Sequence, residues 1–384
     1  MPTALPLLPA SELTYRCPGQ RGAVSEAVHN ARLEADFPAC RGCEHGRKDR
    51  RPALEFEAGN LRGRGGNVID RAAVAGWARA LAAGLSERCG GRPRVVVGYD
   101  GRPSSPDLFA GLRALSDAGC ELLDIGRSLR PVLDFAVREL TADAGVFVTG
   151  GTAANGWNGL DVVGPGAAAW SWPGTAADLM TGRSDRPRRG GGRRTPVRPH
   201  SAYAAAFLSR THDVRPLRVV CYTRGRLAGR LAETILGATA CRAEVRAADE
   251  SPLADRLRRR VGAEGLSSGG RFDAAFEVRA DGRAAAVADE TGTVLSEAAV
   301  AAVLAGGREV VALGETTEEE ADLHLRAGRA AFGVADSPAV VEGSRVLRDG
   351  FHVMSLVLRR LSNGEESLSR RVRAAGLERG RVVR

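Results

Sequence analysis

Three cysteines and a histidine near the amino terminus have the residue types and the spacing of a metal site. Cys17 is followed by Cys40, Cys43 and His45, and a predicted helix over 24–37 separates the first cysteine from the other three side chains. Four nitrogen and sulfur ligands are the number that a structural, tetrahedral Zn²⁺ requires. Metal binding can also supply the folding free energy of so short an arm. The sequence therefore predicts a structural zinc ion held by these four side chains.

Other interpretations of the same side chains stay open. One is an iron–sulfur cluster, although such a cluster usually takes a fourth cysteine. A redox pair and plain reduced thiols are two more. His29, on the predicted helix, is interpreted as a surface or packing residue. The remaining cysteines are scattered and fit core or surface positions in a reducing compartment. They are Cys89, Cys120, Cys221 and Cys241.

The elements that would position a catalytic site alternate between strand and helix from about residue 54. Short apolar runs at 94–97, 122–125 and 146–149 are typical of buried strands. Leucines at helical spacing after the first run, and the segment 135–140, indicate the helices between them. A β-α-β-α-β order predicts a parallel sheet with a ligand site at the carboxyl ends of its strands.

A second alternating region follows a segment rich in arginine, glycine and proline. Its predicted strands are 218–222, 241–246, 272–279, 283–288 and 309–313, and its predicted helices are 227–236, 297–304, 318–325 and 351–361. The chain then divides into a Cys/His-rich module (11–50), a first α/β unit (54–182), a basic linker (183–200), a second unit (201–295), a shorter third unit (296–362) and a basic tail (363–384). The predicted fold class is α/β, with three mixed, mainly parallel sheets and a small amino-terminal arm.

Composition limits the functional classes. The 384 residues carry a net charge of +9, almost entirely from arginine, because Lys48 is the only lysine. Clustered cations can bind nucleic acid, but no recognition motif accompanies them, and the densest cluster, 183–198, is typical of a solvated linker. No apolar run is long enough for a membrane span, and the start lacks the basic region of a signal peptide. We therefore expect a cytoplasmic protein that binds no membrane.

Two motifs mark the first unit, F-E-A-G-N-L-R-G at 56–63 and V-G-Y-D-G-R-P-S-S-P at 97–106. They resemble the F-G-T-[SD]-G-I-R-G and V-G-x-D-x-R-x-S-S motifs of the α-D-phosphohexomutase family, which includes phosphoglucomutase and phosphomannomutase. The resemblance extends over roughly 54–362. It implies that the three α/β units correspond to domains I, II and a shortened III, and that Arg62, Asp100 and Arg102 organise the active-site loop.

The catalytic loop departs from the family pattern. Family members read T-A-S-H-N-P-x-x-x-N-G, in which the serine carries the phosphoryl group, whereas 149–159 reads T-G-G-T-A-A-N-G-W-N-G. Asn158 of the loop frame is kept, but Gly151 replaces the serine and Thr152 replaces the histidine. Covalent phosphoryl transfer needs an oxygen nucleophile at a fixed position, and glycine has none. Thr152 is one residue out of register and is a weak candidate for the nucleophile.

Three further family motifs are altered or lack a counterpart. The magnesium loop D-G-D-x-D-R is met by F-E-V-R-A-D-G-R at 276–283, where only Glu277 and Asp281 are acidic and Arg279 adds a positive charge. The family therefore leads us to expect Mg²⁺, but these residues predict that it is not bound, because a hard cation needs several oxygen ligands. The sugar loop G-E-x-S-G-H is met by V-A-D-S-P-A, in which Ser337 remains. No counterpart of the phosphate loop R-x-S-G-T-E-P follows, and we expect the fourth domain to be missing.

The resemblance and its gaps together predict a phosphohexomutase homologue that has lost phosphoryl transfer and acts as a binding or regulatory pseudoenzyme. Its partner would be a phosphosugar or a protein. The enzymatic alternative is an active phosphoglucomutase or phosphomannomutase, an intramolecular phosphotransferase that uses Thr152 and a rebuilt metal site. A nucleic-acid-binding protein is a remote third alternative.

Overall fold

The computed structural model of the chain describes most of the three α/β units and parts of the amino-terminal arm. The described residues are 14–25, 28–29, 32, 37–40, 54–57, 60–64, 69–151, 157–168, 170, 191–264, 272–296, 299–300, 303–304, 310–313, 330–333, 339–342, 345–347 and 349–374.

The first unit is built on a seven-stranded mixed sheet. Its strands are β3 (Leu54–Glu57), β4 (Asn60–Arg64), β5 (Arg94–Tyr99), β6 (Glu121–Arg127), β7 (Ala144–Val148), β8 (Trp157–Val163) and β9 (Arg194–Pro196), in the order β3-β4-β8-β7-β5-β6-β9. Strand β5 lies inside the sheet and pairs in parallel with both β6 and β7. The three strands predicted from apolar runs are therefore confirmed. Strand β9, at the end of the segment predicted to be a linker, extends this sheet as a parallel neighbour of β6.

Four helices accompany the first sheet in the described chain: α1 (Arg71–Cys89), α2 (Ser105–Gly111), α3 (Arg113–Asp117) and α4 (Arg130–Glu139). Helix α1 begins where the Asp70 side chain accepts a hydrogen bond from the Ala73 amide at 2.7 Å, and it ends at Gly90, whose φ of 61° suits a left-handed cap. Trp77 and Leu81 on its inner face are buried against the sheet.

The second unit contains a four-stranded sheet in the order β11-β10-β12-β13. Its strands are β10 (Arg218–Thr223), β11 (Arg242–Ala247), β12 (Ala274–Val278) and β13 (Ala285–Asp289), and its helices are α5 (His200–Thr211), α6 (Arg226–Gly237) and α7 (Leu253–Glu264). Strand β10 is parallel to β11 and β12, and β13 is antiparallel to β12. A long helix from the far end of the chain, α8 (Gly350–Ser362), adds Phe351, Met354 and Leu358 to the core of this unit.

A third sheet contains β14 (Val310–Leu313), β15 (Ala330–Gly333), β16 (Ala339–Glu342) and β17 (Arg345–Leu347), in chain order. Strands β14 and β15 are parallel, and the remaining pairs are antiparallel. The last described helix, α9 (Leu368–Ala374), buries Leu368 in the core of the second unit. The chain thus has the predicted mixed α/β fold with three sheet units.

The amino-terminal arm differs from its prediction at one point. Strand β1 (Thr14–Tyr15) pairs with β2 (Val24–Ser25), so the helix predicted over 24–37 does not begin at Val24. The pairing follows a turn at Gly19, whose φ is +78°. Val24 is β-branched, and β-branched residues favour strand over helix.

No helix in the described part of the chain is long and apolar enough to cross a membrane.

Candidate active-site cleft

The first and second units enclose a cleft of about 800 Å³ at the carboxyl ends of their strands. Its described lining comes from five places: 100–104 after β5, Arg127 at the end of β6, Gly151 after β7, the start of α6 after β10, and 280–281 after β12. The carboxyl edge of a parallel sheet is where α/β proteins bind ligands. The cleft lies at the edge where the sequence predicts a ligand site.

Asp100 organises the loop after β5. One carboxylate oxygen accepts hydrogen bonds from the Arg102 amide at 3.0 Å and from the Ser105 hydroxyl at 2.5 Å. The other accepts from the Arg102 guanidinium at 3.2 Å and from the Gly150 amide at 3.4 Å. The carboxylate therefore ties this loop to the one after β7, and it is occupied by partners within the protein.

Arg102 spans the same two loops. Its guanidinium donates to the carbonyl oxygens of Trp157 at 3.1 Å and Gly151 at 3.0 Å. A Cβ atom at Gly150 would lie 2.4 Å from the Arg102 Cζ atom and 2.5 Å from the Trp157 oxygen. The glycine at 150 is thus what lets the arginine pass so close to the backbone.

Gly151 stands where the family resemblance places the phosphoserine. Its φ is +56°, in the left-handed region that favours glycine. Its amide donates to the Thr149 hydroxyl at 2.9 Å, and a Cβ atom here would lie 3.2 Å from an Arg62 guanidinium nitrogen. The backbone and Arg62 together disfavour a side chain at this position.

Asn158 and Gly159 hold the far end of the loop 149–159. The buried Asn158 amide donates to the hydroxyls of Ser104 at 2.8 Å and Ser105 at 2.9 Å, and its oxygen accepts from the Gly159 amide. A Cβ atom at Gly159 would lie 1.8 Å from the Leu61 carbonyl oxygen, so only glycine allows β8 to pair with β4 here. The structure therefore brings Asn158 together with the Asp100 loop, as the family resemblance implies.

A buried aspartate beneath the loop escaped the sequence analysis. Asp161 on β8 is 1% exposed, accepts hydrogen bonds from Arg62 and from Arg130 (2.5 Å), and lies 4.0 Å from Arg283 of the second unit. Burial acts to raise the pKa of Asp161, but the charges of Arg130, Arg62 and Arg283 outweigh it, and the pKa lies below its usual value. The signal in the sequence was a single carboxylate inside the apolar run W-N-G-L-D-V-V.

The degenerate magnesium loop has its remaining glutamate engaged. The Glu277 carboxylate, on β12, accepts hydrogen bonds from Arg224 at 2.6 Å and from the buried Arg256 on α7. Two guanidinium groups therefore neutralise the one acidic side chain that β12 could offer to a metal ion. The loop pattern indicates Glu277 but neither arginine, because Arg224 follows β10 and Arg256 lies on α7, both outside the motif.

Asp281 and Arg279 flank a tight turn between β12 and β13. The Arg279 carbonyl accepts from the Gly282 amide at 3.0 Å, and Gly282 has a φ of +79°. The Asp281 carbonyl accepts from the Arg130 amide at 3.3 Å, and its side chain accepts from the Arg283 amide at 3.1 Å. The turn thus contacts the start of α4. Asp281 lines the cleft and Glu277 does not, so Glu277 is not placed beside it as a second metal ligand.

The amino-terminal cysteines are only partly described. Cys17 and Cys40 are buried, whereas Cys43 and His45 lie outside the described residues. His29 is also buried, and its Nδ1 atom lies 3.3 Å from the Cys17 sulfur. His29 is therefore buried, and the surface position considered for it is wrong. Among the described residues, no three His, Cys, Asp or Glu side chains form a metal-binding group. The four-ligand zinc site stays a prediction.

Two other candidates, Thr152 and Ser337, also lie outside the described residues. The structure brings together Arg62, Asp100, Arg102, Asn158 and Gly151 around one loop, and it places Asp281 on the opposite wall of the cleft.

Comparison with known proteins agrees with this geometry. The α/β/α domain I of phosphoglucomutase/phosphomannomutase matches residues 53–173, which include every first-unit residue of the cleft. The first unit belongs to the α-D-phosphohexomutase family. Phosphohexomutase relatives include the phosphomannomutase/phosphoglucomutase of Pseudomonas aeruginosa, 38% identical over 114 residues, or 29% of this chain and 24% of that protein. A probable phosphoglucosamine mutase of Methanothermobacter thermautotrophicus is 30% identical over 200 residues, or 51% of this chain and 43% of that one.

The solved phosphohexomutase structures resemble a larger part of the fold. A phosphoglucomutase/phosphomannomutase family protein from Burkholderia thailandensis superposes with a TM-score of 0.68 at 20% identity, over 83% of this chain and 79% of that one. A structure described as a putative phosphomannomutase from Thermus thermophilus gives 0.64 at 18% identity, over 84% and 83%. The fold is thus shared well beyond the first unit. The chain spans less than half the length of the curated relatives cited above.

Proposed function

We propose that this phosphohexomutase-family protein binds a ligand in its cleft without transferring a phosphoryl group. The observation that carries the proposal is Gly151, which has no side-chain oxygen at the nucleophile position and holds a left-handed backbone beside Arg62. A phosphoserine route needs a hydroxyl there, because the covalent phosphoenzyme is formed on that oxygen.

The metal loop supports the same proposal. Phosphoryl transfer relies on a divalent cation to neutralise charge that develops in the transition state. Here Glu277 is bound by Arg224 and Arg256, so its carboxylate is already neutralised. The set does not fit Mg²⁺, which takes a near-octahedral shell of oxygen ligands. A binding or regulatory role needs neither a nucleophilic hydroxyl nor a divalent cation.

The proposal is tested by intact-mass measurement after incubation with glucose 1,6-bisphosphate and Mg²⁺. We expect no phosphoryl adduct on the wild-type chain. We also expect none on Gly151→Ser, because its side chain would meet Arg62 in a strained backbone. The Pseudomonas aeruginosa phosphomannomutase/phosphoglucomutase, treated in parallel, is the positive control for the phosphoryl donor.

If the chain is instead an active mutase, the intact mass of the wild-type chain should include a phosphoryl adduct. An adduct on the wild-type chain that disappears in Thr152→Ala would assign the nucleophile to Thr152 and overturn the proposal. Thr149→Ala is the matched control. The Thr149 hydroxyl holds the loop by accepting a hydrogen bond from the Gly151 amide, but Thr149 does not stand at the nucleophile position.

A further inference from the structure

Three arginines meet at the carboxyl end of helix α8. Arg360 lies in the last turn of the helix, and the amide of Arg215, shortly before β10, donates a hydrogen bond to the Ser362 hydroxyl at 2.8 Å. Arg371 returns from α9 to the same point, because a Cβ atom on Gly364 would lie 2.8 Å from its Nη2 atom. None of the three arginines is among the described lining residues of the cleft. They therefore form a separate surface, called the α8-end cluster below.

The guanidinium groups of this cluster lack carboxylate partners within the described chain. Arg371 donates from Nε to the Glu366 carbonyl at 3.2 Å, a bond that leaves its charge unpaired. The Nε atom of Arg360 is buried and has no hydrogen-bond partner among the described residues. The buried Arg130 and Arg256 differ, because each forms an ion pair with a carboxylate. A desolvated cationic donor without an acceptor is costly, so an acceptor from outside the described chain would be favourable here.

The three guanidinium groups also repel one another. Burial lowers the pKa of Arg371, the charges of Arg360 and Arg215 lower it further, and the opposing effect of Glu366 does not cancel them. A lowered pKa means that the charged guanidinium is less favourable in the folded chain than in the unfolded one. The dipole of α8 offsets part of this repulsion, since the carboxyl end of a helix attracts cations. The cluster thus holds like charges at some cost in stability, as binding sites often do.

Packing on both sides fixes the cluster in place. Leu361 of α8 and Leu368 of α9 are buried in the core of the second unit. Between them, the Ser362 hydroxyl donates to the Asp213 carbonyl at 3.4 Å and ties the end of α8 to the segment that carries Arg215. The surface is therefore preorganised, which lowers the entropic cost of binding a partner.

The size and charge of the cluster favour a short acidic protein segment as the partner. Three guanidinium groups at one helix end match two or three carboxylates, which arginine binds through paired hydrogen bonds. Nucleic acid instead needs a stripe of cations that follows its phosphates. The exposed side chains of Glu365 and Glu366 interrupt the cations here and would repel a continuous phosphate backbone.

We infer that the α8-end cluster is a docking surface for an acidic segment of a partner protein, whose carboxylates pair with Arg215, Arg360 and Arg371. These carboxylates supply the acceptors that the described chain lacks at this point. The surface is separate from the cleft, so the inference is independent of the ligand that the cleft binds and of whether a phosphoryl group is transferred there.

Fluorescence anisotropy of a labelled hexaglutamate peptide, titrated with the full chain at about 0.15 M salt, tests the inference. We expect saturable binding with a dissociation constant below about 100 µM, weakened about tenfold at about 0.5 M salt because exposed charges are screened. Arg360→Gln and Arg371→Gln should each weaken binding about fivefold, the loss of one ion pair. Arg258→Gln on α7 is the matched control and should leave binding unchanged, because Arg258 is exposed and lies outside the cluster.

The melting temperature separates docking from a structural role. Without peptide, Arg371→Gln should keep or raise the melting temperature of the full chain, because it removes repulsion among like charges in the native state. A lower melting temperature, or failure of this variant to fold, would assign Arg371 to the stability of α9 and contradict the inference.

Other outcomes of the titration would also overturn the inference. They are the absence of peptide binding, equal weakening by Arg258→Gln, and displacement of the peptide by millimolar inorganic phosphate at constant ionic strength, which would identify a site for small anions. A single-stranded oligonucleotide that binds more tightly than the peptide, and loses affinity in Arg360→Gln, would identify a nucleic-acid surface instead.

Discussion

Replacing Asp161 by asparagine is expected to lower the free energy of unfolding by about 3–5 kcal/mol, because breaking a buried ion pair leaves uncompensated charge in the interior. The Asp161 carboxylate is 1% exposed and forms ion pairs with Arg62 and Arg130. An asparagine of the same shape keeps one acceptor oxygen but presents an amide donor to a guanidinium. Urea unfolding at pH 7 measures the loss.

The control for this variant is Asp107→Asn. Asp107 pairs with Arg71, but both side chains are more than half exposed. Such surface pairs contribute about 0–1 kcal/mol, so the control should be nearly neutral. If Asp161→Asn lowers the free energy of unfolding no more than Asp107→Asn does, the buried arginines do not need this carboxylate as a partner.

The stability difference between wild type and Asp161→Asn should also depend on pH. The native pKa of Asp161 lies below that of the unfolded chain, about 3.9. A lowered pKa stabilises the native state at pH values above the unfolded pKa, and the contribution is lost as pH falls toward the native pKa. The difference should therefore be constant from pH 7 to about 5 and narrow below about 4. A difference that widens on acidification would contradict the assignment.

The second large effect is expected for Glu277→Gln, which should lower the free energy of unfolding by about 2–3 kcal/mol. Arg256 is buried and loses its charged partner on β12, but it keeps its hydrogen bond to the Asp249 carbonyl and its ion pair with Asp249, so the cost is smaller than at Asp161. Glu244→Gln on β11 is the matched control, because Glu244 also pairs with two arginines but is partly exposed, and about 1 kcal/mol or less is expected there.

Magnesium separates this account of Glu277 from a catalytic one. If the carboxylate is held by Arg224 and Arg256, adding Mg²⁺ should leave the melting temperature of wild type and of Glu277→Gln unchanged, since binding to the native state would raise it. A Mg²⁺-dependent rise in wild type that Glu277→Gln abolishes, together with little loss of stability, would identify Glu277 as a metal ligand.

The parts of the cleft that could be predicted are those encoded within short stretches of chain. The apolar run before Gly98 predicts β5, and the polar residues that follow it fall at its carboxyl end, as Asp100 and Arg102 do. The replacement at Gly151 is likewise visible in the loop pattern, because the loop keeps its length up to Asn158.

The parts that could not be predicted depend on contacts between distant segments. The partners of Asp161 lie on β4, on α4 and in the second unit. The spacing of residues along the sequence does not show that these three segments pack against Asp161. Glu277 could be named as one of the two acidic residues of its loop, but its buried partner is Arg256, 21 positions away on α7. The start of the arm's helix was misplaced because pairing of Val24 with Tyr15 outweighed local helix propensity.

The most direct test of the central claim is a coupled assay of glucose 1-phosphate conversion to glucose 6-phosphate, with glucose 1,6-bisphosphate and Mg²⁺ present. A fold without a nucleophile at Gly151 and with Glu277 bound by two arginines predicts a rate equal to the blank without protein. The Pseudomonas aeruginosa relative should turn over under the same conditions. Turnover by this chain at about 1 s⁻¹ or faster, the usual range of enzymes, would contradict the claim that phosphoryl transfer has been lost.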